Sequence, residues 1–320
     1  MTSPSTLPTS HTDGQPPARR ALVDRFTWAL AVANLVAQIG IIVTGGLVRV
    51  TGSGLGCSQW PMCEPGAFTP EFHAEMSFHP IIEFGNRTLT GVLGIIAVAL
   101  VVAVYRRQPT ASRPASLRRL AWLPLVGIAI QAVIGGITVW VDLHPAIVGS
   151  HMLISLALVA VSTYLLVRLG TPDGPPRLVV PTAARSVAWL LAALGVLLLV
   201  LGVITTGAGP HSGDATEPYR WALDPAAISR LHALSVWAFV VVAVVGLVII
   251  RRQPAARPAT VRAWWWLLAV TALQGVIGYV QYLTGLPEVL VVVHMLGAGL
   301  LVVVLVRAVA TLHERTPALS

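Results

Sequence analysis

Eight long apolar runs constrain this chain more than any other feature. They fall at about 27–48, 81–104, 121–140, 147–167, 185–206, 230–250, 263–283 and 289–310. Each is roughly twenty residues, the length of α-helix that crosses about 30 Å of hydrocarbon. The runs are continuously apolar rather than alternating, which argues against a transmembrane β-barrel. In lipid every backbone N–H and C=O must be paired internally, so each run reads as a helix. Only 11% of the 320 residues are charged, and the mean hydropathy is +0.77. Soluble domains carry about 25% charged residues. The predicted fold class is an all-α membrane protein with eight transmembrane helices.

All 21 basic residues are arginine, and the net charge is +8. Such a charge raises nucleic-acid binding as a partner class, but its distribution excludes that reading. Arg106, Arg107, Arg113, Arg118 and Arg119 follow the second run; Arg168, Arg177 and Arg185 follow the fourth; Arg251, Arg252, Arg257 and Arg262 follow the sixth. The alternate loops hold Glu64, Glu71, Glu75, Asp142, Asp214, Glu217, Asp224 and Glu288. The arginines are topology signals, and the positive-inside rule places both termini in the cytoplasm. Residues 1–24 read as a disordered tail rich in Pro, Ser and Thr, without the apolar core of a cleavable signal peptide. The first run then serves as an uncleaved insertion signal.

The two halves of the chain repeat. "QAVIGG" begins at Gln131 and leads to "HML" at His151; "QGVIGY" begins at Gln274 and leads to "HML" at His294. The offset is 143 residues in both places. "TGSG" at Thr51–Gly54 and "TGAG" at Thr206–Gly209 each follow the first helix of a half, and Asn86 can be set against His232. Four helices per half make this a parallel repeat. The expected organisation is two pseudosymmetric four-helix bundles, residues 25–170 and 185–310. A cytoplasmic linker, 171–184, joins them, and a cytoplasmic tail, 311–320, follows.

Nine histidines are present. His11 and His313 lie in the tails, and His73, His79, His144 and His211 lie in or beside outer loops. His151, His232 and His294 lie just inside the outer ends of their helices, at one depth. One intramembrane histidine reads as an interhelical hydrogen bond. Three at one depth, two of them related by the repeat, point to a cofactor. His232 and His294 are on helices running in the same direction, and two facing imidazoles clamp a planar macrocycle, which is haem ligation in a bundle core. Zinc is disfavoured, because no further ligands with metal-site spacing accompany them. In the first half Asn86 takes the place of His232, and an amide is a poor haem ligand. A haem there has His151 and an open position, or His79 or another donor fills in, or the site has another task.

Glu83 and Asn86 are three residues apart and face one side of the second helix. They read as parts of a reaction site. Glu83 and Arg87, four apart, also read as an interfacial ion pair, and the two readings are compatible. Arg87 and Arg230 lie near the outer boundary, where arginine either recognises haem propionates bidentately or snorkels. Cys57 and Cys63 lie in the first outer loop, on the oxidising side, where a disulfide forms readily. It serves as a structural staple or exchanges with partner thiols.

Taken together, "LVRVTGSGLGCSQWPMC", "IEFGNR", "GSHMLISLAL" and "VVVHMLGAGL" resemble the haem A synthase family. The resemblance covers all eight runs and places the chain in the subgroup with a cysteine pair in the first outer loop. It implies that a methyl group of haem O is oxidised to a formyl group by successive hydroxylations, giving haem A for cytochrome oxidase. It implies haem b held by His232 and His294 in the C-terminal half. The substrate site in the N-terminal half would hold His151, Asn86, Arg87 and the catalytic carboxylate Glu83. Two departures stand out. The family commonly has Glu-x-x-His where this chain has Glu83-x-x-Asn86, and residues 207–229 lack the second cysteine pair of some members. Implied partners are haem O, the farnesyltransferase that makes it, an electron donor or acceptor that the sequence does not identify, with quinone one candidate, the bilayer and a second copy of the chain. The implied location is the bacterial plasma membrane. Two other classes compete: a dihaem electron carrier exchanging electrons with quinone, and a haem transporter using the repeat for alternating access.

Overall fold

The computed structural model describes residues 22–71, 77–214, 216, 218–254 and 256–316. Most of the N-terminal tail, the last four residues, His11, His73, Glu75 and Glu217 lie outside the described residues. The helices are α1 (Arg25–Val50), α2 (His79–Arg106), α3 (Ala115–Leu120), α4 (Trp122–Trp140), α5 (Pro145–Leu169), α6 (Thr182–Ala208), α7 (Pro225–Arg251), α8 (Pro258–Leu283) and α9 (Glu288–Ala310). The short α3 and α4 together make the third span, so eight helical segments are long and apolar enough to cross a membrane. The fold is the all-α, eight-helix membrane protein expected from the apolar runs.

Nearly every helix overruns its apolar run by a few residues, because the ends are built from helix-starting chemistry. Asp24 caps α1 by accepting from Phe26 N–H at 3.1 Å and Thr27 N–H at 3.2 Å. Asp224 caps α7 from Ala226 N–H at 3.0 Å. Proline opens α5, α7 and α8, where its missing N–H costs nothing. One element was not anticipated. Pro176–Leu178, in the segment read as a linker, forms a strand (β1) paired antiparallel with His313–Arg315 (β2) of the tail. Three-residue strands are too short to show a period-2 pattern.

Helices α1, α2, α4 and α5 pack in a closed circuit, and α6, α7, α8 and α9 in another. Helix α9 joins them by packing on α1 and α5, and α5 also touches α6. The end at the arginine-rich loops is packed solid. Leu100, Leu117, Leu165 and Leu169 fill it in the first circuit; Leu191, Phe239, Trp264 and Leu267 fill it in the second. Arg113 locks that end. It donates to Leu169 O at 2.8 Å, Arg168 O at 3.0 Å and Thr171 O at 2.6 Å, and bidentately to Asp173 at 2.8 and 2.9 Å. These bonds satisfy the carbonyls that α5 leaves open at its C-terminus. The opposite end, near the starts of α5, α7 and α9, holds a large cavity.

Candidate functional site

A cavity of about 1010 Å³ runs between the helices at the end away from the arginine-rich loops and is lined from both circuits. It lies at the top of the usual range for small-molecule pockets, roughly 300–1,000 Å³. Three histidines line it among the described residues: His151 on α5, His232 on α7 and His294 on α9. The Nδ1 atom of each is buried and has no hydrogen-bond partner. Those nitrogens have no accessible surface, so the cavity meets each ring at its other atoms. His232 and His294 are close enough to interact electrostatically.

A glycine stands beside each ring. A Cβ on Gly202 of α6 would lie 3.2 Å from His232 Cε1; on Gly278 of α8, 3.5 Å from His294 Cε1; on Gly135 of α4, 3.7 Å from His151 Cε1. Larger side chains would press on the imidazoles and fill the space around them. Gly135 and Gly278 are 143 residues apart, the offset of the repeat. The repeated "Q-x-V-I-G" therefore has a physical meaning that sequence reading left unassigned. Its glycine makes room for the histidine, and its glutamine holds the histidine's helix. Gln131 Nε2 donates to His151 O at 2.8 Å and to Ser155 Oγ at 2.5 Å. Gln274 packs on Gly297, one turn after His294.

In the first half Asn86 lines the cavity opposite a partner on α1. Thr44 Oγ1 donates to Asn86 Oδ1 at 2.7 Å. His79 is not part of the cavity wall. It starts α2 and bonds through Nδ1 to Ser53 Oγ at 2.8 Å, beside a smaller outer pocket.

Glu83 is buried, at 6% exposure, and lines the cavity beside Arg87. Its Oε2 accepts from Cys57 N–H at 2.7 Å, while Oε1 pairs with the Arg87 guanidinium. Arg87 Nη1 in turn donates to Gln59 O at 2.8 Å and Met62 O at 3.1 Å. The ion-pair reading of Glu83 is seen in the structure, and the same carboxylate lines the cavity. Cys57 and Cys63 form a disulfide, with both residues fully buried. The carboxylate and guanidinium hold the backbone of the loop that this disulfide closes. From that loop Trp60 reaches down onto Gly136 and meets Trp140 edge to face at 5.7 Å, forming a lid on the cavity.

Among the described residues no group of three or more His, Cys, Asp or Glu is arranged to hold a metal ion. Two imidazoles on one cavity wall without further protein donors suit a metal that brings its own equatorial ligands, as iron in a porphyrin does. The residues of the second half fit a haem.

Fold and site define a polytopic α-helical membrane protein with paired imidazoles around one apolar cavity. The chain belongs to the cytochrome oxidase assembly protein family COX15-CtaA, whose model matches residues 27–306. It is 27% identical over 283 residues to the Heme A synthase of Symbiobacterium thermophilum, covering 81% of this chain and 88% of that protein. It is also 33% identical over 128 residues to the Heme A synthase of Bacillus pumilus, and 32% identical over 135 residues to that of Bacillus mycoides. Those matches span 39% and 41% of the two Bacillus proteins.

Proposed function

We propose that this chain is an oxidoreductase of a bacterial plasma membrane that converts haem O to haem A. The observation that carries the reading is the three histidines lining one cavity, each with a glycine beside its ring, in a member of this family. The relatives' shared name supports the reaction. His232 and His294 hold a haem b, which supplies one-electron redox chemistry when bound. The substrate haem O sits in the first half, against His151.

Turning a methyl into a formyl group removes two hydrogens, inserts one oxygen and takes four electrons from the carbon; the oxidant is dioxygen, or an external electron acceptor when water supplies the oxygen. Successive hydroxylations give a hydroxymethyl group and then a geminal diol, which loses water. His151 presents the one imidazole of the substrate site. Asn86 Oδ1 is already bonded to Thr44, so the amide acts as a fixed polar wall group. Glu83 offers a carboxylate at the cavity edge that takes up protons released from the substrate. Its bonds to Cys57 and Arg87 fix its position, and Trp60 helps keep water out. Both termini lie in the cytoplasm on this reading, and the arginine-rich loops support it.

The test is co-expression with a source of haem O in a host lacking haem A, followed by extraction, chromatography and mass detection. Haem A or its hydroxymethyl intermediate, absent from a control without this chain, is the expected result. Only haem B and haem O from folded, haem-loaded protein, with a redox partner present, overturns it and favours an electron carrier.

A further inference from the structure

We propose that Arg49 is the carboxylate anchor of the cavity, binding a propionate of the haem; the inference rests on the haem reading above. Arg49 is the last but one residue of α1 and lines the cavity at its outer end. A Cβ built on Gly213, in the loop after α6, would lie 4.0 Å from Arg49 Cα and Cγ, so that loop runs close by. Arg49 therefore sits where the two circuits meet.

A guanidinium carries five N–H donors. Arg49 Nη2 donates to Thr206 O at 3.0 Å, and Nε is shut off from solvent without any partner. The ion pairs among the described residues are Arg87–Glu83, Arg107–Asp24, Arg113–Asp173, Arg168–Asp173 and Arg257–Glu314. Arg49 is in none of them. Asp214, next to Gly213 in the chain, accepts from Thr216. The C-terminal dipole of α1 favours a cation at this position, but it supplies no acceptor for a buried N–H.

The other two arginines on the cavity wall are differently placed. Arg87 is committed to Glu83, Gln59 and Met62, and it holds the disulfide loop. Arg230 is exposed, and its Nε donates to Ala226 O at 3.2 Å. Nε is closed to the cavity as well as to solvent, but Nη1 makes no hydrogen bond to the described residues, so Arg49 is the arginine of the cavity wall with a terminal donor left for a ligand. A planar fork of N–H groups matches a carboxylate bidentately. A largely apolar cavity with one such group at its rim selects an apolar, planar ligand with an acidic edge, and a porphyrin with propionates is that ligand.

The competing role for Arg49 is a tie between α1 and α6 through the Thr206 carbonyl. Two probes separate the roles: ferric haem b and its dimethyl ester, which keeps the ring and loses both negative charges. Full-length protein from haem-limited cells, purified in detergent, is titrated with each and followed at the Soret band. Wild type should prefer the free acid by at least about tenfold, the scale of one charge-assisted hydrogen bond. In Arg49→Gln the preference should shrink to within about threefold while affinity for the ester is kept; Arg49→Lys should retain part of it. An undiminished preference in Arg49→Gln overturns the proposal, because another group then holds the carboxylate. Equal weakening of both probes also overturns it and leaves the tie. If wild type binds neither probe, the haem reading falls and this proposal falls with it.

Discussion

Replacing Glu83 with alanine should loosen the Cys57–Cys63 loop, and the structure sets the scale. One carboxylate accepts the Cys57 N–H at 2.7 Å and pairs with Arg87, whose guanidinium grips two carbonyls of the same loop. Truncating one partner of a buried ion pair costs roughly 3–5 kcal/mol, and a hydrogen bond to a charged group contributes roughly 1.5–3 kcal/mol. The two overlap, since one carboxylate makes both, and Arg87 keeps its carbonyls in the variant. A loss of about 3 kcal/mol raises the open fraction of the loop about a hundredfold, at about 1.4 kcal/mol per factor of ten. Cys57 and Cys63 are both 0% exposed, so a thiol reductant reaches the disulfide only from the open state. The assay is the rate of disulfide reduction by a small dithiol in detergent, quenched with a maleimide mass tag. Glu83→Ala should be reduced about a hundredfold faster than wild type. Glu83→Gln should fall between them, because its amide oxygen still accepts from Cys57. A rate in Glu83→Ala within about threefold of wild type would refute the claim that this carboxylate holds the loop.

Asn86→His should add an imidazole to the first half's cavity wall, giving protein loaded with haem an additional low-spin component in its optical and electron paramagnetic resonance spectra; an unchanged spectrum would show that residue 86 does not face the substrate iron. Arg113→Ala should lower stability by roughly 3–5 kcal/mol, since it strips Asp173 of its bidentate partner and uncaps α5, with Arg113→Lys recovering only part; thermal unfolding in detergent measures both. Asp24 supplies a pH dependence. Partial burial raises its pKa, but hydrogen bonds from Thr27 and Arg107 outweigh that and bring it down to about 2. A depressed carboxyl stabilises the fold above its unfolded pKa, so its contribution is present at neutral pH and is lost as pH falls from about 4 towards about 2. Asp24→Asn should flatten that part of a melting-temperature profile.

The spans were readable because their cause is local: a run of apolar residues of bilayer length has no other stable conformation in lipid. Counting residues along those spans set His151, His232 and His294 near one end, and they line one cavity there; the 143-residue repeat followed from letters alone. The ends of the helices were less visible, because caps and prolines extend each span into its polar flank. The β1–β2 pair was invisible, because it joins segments far apart in sequence through three residues each.

The site divides in the same way. The sequence by itself determined eight helices, their internal repeat and which residues carry titratable groups at the outer end. It did not determine what those groups touch. That Glu83 accepts from Cys57 N–H, that Thr44 bonds Asn86, and that Gln131 holds the carbonyl of His151 are outcomes of helices packing side by side. So are the glycines beside the three imidazoles and the unmatched Nε of Arg49. Hydrophobic length acts along one helix and is written in consecutive residues. A hydrogen bond between helices depends on their rotation and spacing, which are fixed only when all eight pack at once.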